Sequence, residues 1–393
     1  MRKFGREVCI VGVGMHRFGK FPDKNLKELT RVAVWRAIHD AGIHAKLIEA
    51  AYFANVRAGL ITGQEGIRGQ VFLRDSGFQG IPIVNVEGAC ASGTIALREA
   101  VLAIAAGLYD VVLAVGAEKL HLEDTAKSIQ AMSANTDVQL LGGLGFQFTG
   151  GYAMSLRKHM KEFGWTREHF ARVASKNKYN GSLNPYAQYQ KPMSVEEILN
   201  SRMICWPLTL YMCSSMADGS AAAIVCAKEV AGKISPRPPV CISACCLRSG
   251  EVTGEDDGQR HVARDAYEMA GVGPEDIEVA EVHDAMAPGE MFRIEKLGFC
   301  TAEEVGRLVD EGRFTLSGKL PVNPSGGLAA RGHPIGATGL AQVAELVWQL
   351  RGEAERRQVK GRNGGPPKLG LAQNSGGYLE GSPAALTFTI MKR

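Results

Sequence analysis

The segment V-E-G-A-C-A-S-G at residues 86–93 sets one cysteine among small residues, and it has the makings of a nucleophile. The strand expected over Ile81 to Val86 runs into those small residues and then into a helix, so Cys90 falls at a sharp strand-to-helix turn. A helix N-terminus presents unpaired N–H groups and a partial positive charge, and both favour a thiolate. Gly88, Ala89, Ala91, Ser92 and Gly93 leave room for a substrate to approach. A sulfur nucleophile needs a base. Two histidines have unusual settings: His333 in R-G-H-P-I-G-A-T-G (331–339), and His283 in E-V-H-D-A-M (281–286). A single histidine is more often structural, but Cys90, His283 and His333 together make a Cys/His/His constellation suited to acyl chemistry. Gly376 and Gly377, in Q-N-S-G-G (373–377), offer backbone N–H groups for an oxyanion.

The elements that must position these residues occur twice. Ala37 to Phe53 and Ala266 to Val282 match at an offset of 229 residues, with identities at Ala37/Ala266, Ala41/Ala270, Gly42/Gly271, Ile48/Ile277 and Glu49/Glu278. Each reads as an amphipathic helix stopped by glycine and then a link into a strand. Later in each half, Ala91-Ser92-Gly93 and Ala337-Thr338-Gly339 open helices that end near Gly107 and Gly352. Val111 to Gly116 then answers Leu369 to Asn374. The expectation is an α/β protein of two related halves with buried, continuously apolar strands. The boundaries are 1–118 plus 216–235 for the first half and 236–393 for the second, entered through Pro236-Arg237-Pro238-Pro239. Residues 119–215 differ in character. They carry Gly142, Gly143, Gly145, Gly150 and Gly151, helical stretches near 152–163 and 166–178, and a loop from Asn180 to Pro192, and read as an inserted loop domain that covers something.

Composition removes several function classes. The 393 residues are enough for two or three domains, and 47 glycines, about 12%, imply many tight turns and close backbone approaches. With 45 basic and 41 acidic residues the charges nearly balance, so no basic stripe for nucleic acid exists. The densest basic stretch, Arg356, Arg357, Lys360 and Arg362, has Glu353 and Glu355 beside it and reads as a solvated loop. Val11-Gly12-Val13-Gly14 lacks the third glycine at 17 of a dinucleotide fingerprint and reads as a tight turn. The glycines at 142–151 lack the lysine and hydroxyl of a phosphate loop. Nine cysteines, odd in number and mostly in apolar runs, fit reduced thiols and a cytoplasmic location. Cys241, Cys245 and Cys246 lie in a strand-like run, and no metal site is expected. The start Met1-Arg2-Lys3 is basic, but Val8 to Met15 leads into His16 and Arg17 and not into a cleavage site. No apolar run is long enough to span a membrane.

The chain resembles the thiolase superfamily, in the branch similar to sterol-carrier-protein thiolases and archaeal acetoacetyl-CoA thiolases. The likeness runs through G-V-G-M-H-R-F-G, G-A-C-A-S-G, P-L-T-L-Y-M-C-S-S-M-A-D-G-S-A-A, H-D-A-M and N-P-S-G-G-L-A-A-R-G-H-P-I-G-A-T-G, essentially the whole chain. The resemblance implies two βαβαβαββ halves in a five-layer αβαβα core. It implies that Cys90 is acylated, that His333 activates it, and that His283 helps bind the thioester oxygen. The N–H groups of Cys90 and Gly376 would form a second oxyanion hole. Coenzyme A would enter over the loop domain as co-substrate, with no bound cofactor. A homodimer is implied, as is a small zinc-ribbon/OB-fold partner protein that can complete the acyl pocket.

One departure stands out. Thiolases usually carry a second reactive cysteine as acid/base, in a C-x-G or an H-D-C-F motif. Here those positions read Asn374-Ser375-Gly376 and His283-Asp284-Ala285-Met286. Water, a histidine or Cys213 would have to move the proton at the α-carbon, with Cys213 better read as a buried structural thiol. Ala285 also removes bulk, as suits a branched or aromatic 3-oxoacyl-CoA such as benzoylsuccinyl-CoA. A thiolase-fold aldolase acting on a β-hydroxyacyl-CoA ranks second, because retro-aldol cleavage needs no nucleophile. A non-catalytic acyl-CoA or lipid-binding subunit ranks third, since neither nucleophile nor base is eroded.

Overall fold

The computed structural model of the chain describes residues 5–251, 258–379 and 381–393. The basic start Met1-Arg2-Lys3 lies outside them. Nine strands form one mixed sheet: β1 (Val8–Met15), β2 (Ala50–Ala54), β3 (Ile83–Val86), β4 (Val111–Glu118), β7 (Gly219–Ala227), β8 (Val240–Arg248), β9 (Val279–Glu281), β10 (Leu369–Gly376) and β11 (Ala385–Lys392). The remaining two, β5 (Met203–Cys205) and β6 (Leu208–Thr209), make a small antiparallel pair. The spatial order is β3-β2-β4-β7-β1-β8-β11-β10-β9, so each half supplies one side and the halves meet at β1 and β8.

Strands buried on both faces send alternate side chains into two different cores. In β7, Ala221, Ala223 and Val225 enter the central core, while Ala222, Ile224 and Cys226 enter an outer one. The outer helix Leu26–Ala41 packs on β1 and β7, and Gln259–Ala270 packs on β8 and β11. Between the two sides lie helices Ser92–Ala105 and Ile335–Arg351, packed on each other and on β4, β7 and β10. This is the five-layer αβαβα thiolase arrangement.

The repeat reappears in register. Leu26–Ala41 and Gln259–Ala270 both stop at a left-handed glycine, Gly42 at φ 65° and Gly271 at φ 70°. Short 3-10 turns follow, Ala45–Leu47 and Pro274–Asp276, and then β2 and β9. Helices Phe148–Phe163 and Arg167–Ser182 contribute Leu156 and Phe170, and the link between them Trp165, to the core that also holds Phe292 and Val322. Among the described residues no helix is long and apolar enough to cross a membrane.

Two expectations are corrected. Gly12 and Gly14 do not form a turn but lie inside β1. An added Cβ would fall 2.3 Å from Ala37 O at Gly12 and 2.4 Å from Ala33 O at Gly14, so the glycines admit the outer helix against the strand backbone. The cysteines are not all free: Cys9 and Cys241 face each other in register across β1 and β8 and form a disulfide. Their 232-residue separation hid a pairing that strand register creates.

Candidate active site

Cys90 occupies a 3-10 turn, Ala89–Ala91, that leads into helix Ser92–Ala105. Ala89 is left-handed at φ 49°, a conformation that costs a non-glycine residue energy and is held here by local bonds. Gly88 N–H donates to Ser92 Oγ at 2.9 Å, Ala89 N–H to Glu87 Oε1 at 2.8 Å, and Ser92 Oγ to Ala89 O at 2.6 Å.

His333 stands at the equivalent end of the other central helix. Its Nε2 is 3.2 Å from Cys90 Sγ, and its Nδ1 is 2.7 Å from Thr338 Oγ1. Thr338 donates its hydroxyl proton to Pro334 O at 3.0 Å, so its oxygen accepts from Nδ1–H. That assigns the tautomer by the hydrogen-bond network and leaves the Nε2 lone pair facing the thiol. Glycines make the approach possible. A Cβ on Gly93 would sit 2.9 Å from Gly336 O, one on Gly339 2.8 Å from Thr94 N, and one on Gly116 2.2 Å from Gly336 O.

Burial governs the charge state. It pushes the Cys90 thiol up to about 12, against the pull of Arg57 and of the Gly377 and Cys90 N–H groups. It pushes His333 down to about 3, with Arg331 adding to the effect. Burial thus opposes the thiolate expected from the helix N-terminus and favours a neutral thiol beside a neutral imidazole. Desolvation outweighs the partial charge of one helix end.

His283 follows β9, with its own N–H bound to Gln373 Oε1 at 3.0 Å. Its ring meets that of His333 edge to face at 5.2 Å between centroids. Burial, then the nearby His333 and Arg293, hold it well below its ordinary value. The Asn374 side chain beside the ring pulls the other way, and the buried Nδ1 makes no bond of standard geometry among the described residues. One nitrogen of each histidine and Cys90 Sγ lie within 4.8 Å of one another, close enough to share one reacting group. Gly376 ends β10 pressed on the cysteine turn, where a Cβ would be 2.1 Å from Gly88 O, and it is Gly377 whose N–H reaches the Cys90 sulfur.

Cys90, His283 and His333 open onto a cavity of about 450 Å³ walled by Phe146, Phe148, Tyr152, Phe292 and Tyr378. Ala285 lines it too, whereas Asn374 turns its Nδ2 to Gln342 Oε1 at 2.7 Å. Cys213 donates its Sγ–H to Thr209 O at 3.4 Å and is absent from the described lining. Sequence reading missed Thr338, Glu118 and Arg293. Thr338 lay inside a quoted motif, but nothing in the sequence of helix Gly289–Lys296 marked Arg293. Glu118, at the end of β4, accepts from the N–H groups of Val56, Arg57 and Gly336 at 3.0, 3.0 and 3.1 Å and fixes the start of the His333 helix.

The chain matches two family models, the thiolase N-terminal domain over residues 8–206 and the thiolase C-terminal domain-like model over 249–387. It is 40% identical to an acetyl-CoA acetyltransferase of Methanothermobacter thermautotrophicus, covering 95% of this chain and 97% of the relative. It is 35% identical to the benzoylsuccinyl-CoA thiolase subunit BbsB of Thauera aromatica, over 95% and 96%. A solved structure described as the Ltp2-ChsH2(DUF35) aldolase aligns with TM-score 0.79 at 25% identity, over 98% of this chain and 97% of that one. With both halves matched, and relatives named as acyltransferases aligned along nearly their whole length, the chain belongs to the thiolase family of acyltransferases.

Proposed function

We propose that the protein cleaves a bulky or aromatic 3-oxoacyl-CoA with coenzyme A, or runs the reverse condensation, through an acyl-Cys90 intermediate; benzoylsuccinyl-CoA is the substrate that fits best. The observation that carries the reading is the Cys90–His333 pair at 3.2 Å on the floor of an aromatic cavity. The relative named for benzoylsuccinyl-CoA supports the choice of substrate. Cys90 Sγ attacks the 3-oxo carbon as its proton passes to His333 Nε2. The oxyanion is met by the N–H groups of Cys90 and Gly376. The bond between the α- and β-carbons then breaks, leaving acyl-Cys90 and the enolate of the shortened acyl-CoA. His283 faces the enolate oxygen, and the His333 imidazolium returns its proton to the α-carbon. That return does the work of the missing second cysteine. Free CoA then gives its thiol proton to His333, attacks the thioester and releases Cys90, which takes the proton back.

The 119–215 insertion covers the cavity in this reading, since Phe146, Phe148 and Tyr152 come from it. The protein acts as a homodimer, with a small zinc-ribbon/OB-fold partner at the acyl pocket. The relative named as a subunit and the similar structure with a DUF35 chain in its title support such a partner.

The test is intact mass after incubation with benzoyl-CoA and other acyl-CoAs, beside Cys90→Ala. An adduct on the wild type that CoA removes, absent from the variant, is expected. A second reading, aldol cleavage of a β-hydroxyacyl-CoA, is favoured by the similar structure described as an aldolase. It requires cleavage that survives in Cys90→Ala with no adduct on the wild type.

A further inference from the structure

Arg293 is 6% exposed, lies on helix Gly289–Lys296 and lines the cavity beside His283. Long buried cations are ordinarily paired, because desolvating an unpaired guanidinium is costly. The acids of its own helix are committed elsewhere: Glu290 to Lys176 at 2.6 Å, and Glu295 to Arg260. Among the described residues no carboxylate or other acceptor bonds the Arg293 side chain, and its Nε is buried without a partner. The described lining of the cavity contains no aspartate or glutamate. Lys158, also in the lining, leans toward Glu162 at 3.9 Å. The cavity therefore holds a buried guanidinium whose counter-charge none of the described residues supplies.

We propose that Arg293 binds a free carboxylate carried on the acyl part of the substrate, so that the enzyme acts on carboxylated 3-oxoacyl-CoA thioesters. A guanidinium fork accepts a carboxylate in two parallel, charge-assisted hydrogen bonds. Its place beside His283 puts that carboxylate on the fragment that leaves as enolate, which in the proposed reaction is the succinyl-CoA side. A phosphate of CoA does not fit there, because the pantetheine arm holds the phosphates far from the thioester. The inference rests on the acyl-CoA reading of the site but not on turnover.

The experiment measures reversible binding to Cys90→Ala protein by calorimetry, with succinyl-CoA, butyryl-CoA and CoA. Succinyl-CoA and butyryl-CoA have the same chain length and differ by carboxylate against methyl. Succinyl-CoA is expected to bind at least about tenfold more tightly than butyryl-CoA, as a hydrogen-bonded charge pair warrants. Adding Arg293→Met should erase that preference while CoA affinity holds, and Arg293→Lys should keep part of it. Equal affinity for the two thioesters in Cys90→Ala overturns the proposal, whether or not an Arg293 variant folds. So does an equal loss of CoA and succinyl-CoA affinity in Arg293→Met, which would assign the arginine to the CoA moiety. A preference that survives Arg293→Met also overturns it. Failure of the acylation test with the carboxylate preference intact would sink the thiolase reading and leave this one standing.

Discussion

The loops after β2 and β9 occupy equivalent places in the repeat, yet the first gathers its backbone N–H groups on one buried carboxylate and the second sends a histidine to the cavity wall. After β2, Asn55 Nδ2 and the N–H groups of Val56 and Arg57 all bind the Glu118 carboxylate, which also takes Gly336 N–H. After β9, the His283 ring lies against Asn374 and the cavity, and no described acid pairs with Arg293 near it. Buried polar atoms are nearly always satisfied, so an unpaired guanidinium on a cavity wall is a place where a substrate can supply the partner. The two similar frames thus differ at the cavity: the first contributes Cys90 and a satisfied carboxylate beneath it, the second His283 and an arginine that no described acid pairs.

The largest expected effects test the open side. Cys90→Ala should abolish the acyl adduct, and His333→Ala should lower kcat/KM by about 10² to 10⁴, the usual worth of a general base. His283→Ala should cost about 10² in kcat with little change in melting temperature, as for loss of one oxyanion donor. Glu118→Gln should do the reverse, costing about 1–3 kcal/mol in denaturant unfolding, because an amide N–H is turned toward donors that need an acceptor. A Glu118→Gln protein that unfolds normally but fails to acylate would break the comparison.

Gly93→Ala sharpens it further. Its Cβ would meet Gly336 O at 2.9 Å and Leu340 N at 3.1 Å, both backbone atoms that move only with the helix. Overpacking of about 1–3 kcal/mol is expected, and acylation should fall further than stability as Cys90 and His333 separate.

The smallest effects concern pH. With Cys90 at about 12 and His333 at about 3, iodoacetamide labelling of Cys90 should rise with pH through about 9 without a plateau. A plateau beginning near neutrality would mean a thiolate and overturn the neutral pair. For stability, the unfolded His333 takes its proton near 6.5 and the folded one only near 3. Acid therefore binds the unfolded state first, and His333 contributes a loss of stability as pH falls from 6.5 to 3. Glu118, raised to about 7 by burial, works in the opposite sense: the folded state holds the proton longer, so it costs stability as pH rises from 4.5 to 7. His333→Asn should flatten the first trend, and Glu118→Gln the second, in unfolding titrations.

Much of this was legible along the chain. The 229-residue offset foretold both the glycine-stopped outer helices and the strands after them, because helix stops and buried strands are written in local residue types. Cys90, His283 and His333 stood out because small residues and glycines crowd around them. Gly12 and Gly14 were misread as a turn because a glycine admitting a helix looks, in sequence, like one admitting a bend. Residues 119–215 stand apart in the sequence by their glycines, but nothing there shows that Leu156, Trp165 and Phe170 share a core with Phe292 and Val322.

By itself, the sequence determined the repeat, the setting of Cys90, His283 and His333 among small residues, and the absence of the second cysteine, since these depend on residue identity and near neighbours. The tertiary structure alone decided that Cys90 is buried against His333, that Cys9 meets Cys241, and that Arg293 stands near His283 with no described acid paired to it. Each of those depends on what is brought near from far along the chain and on how completely water is shut out, and neither distance nor desolvation is recorded in the order of residues.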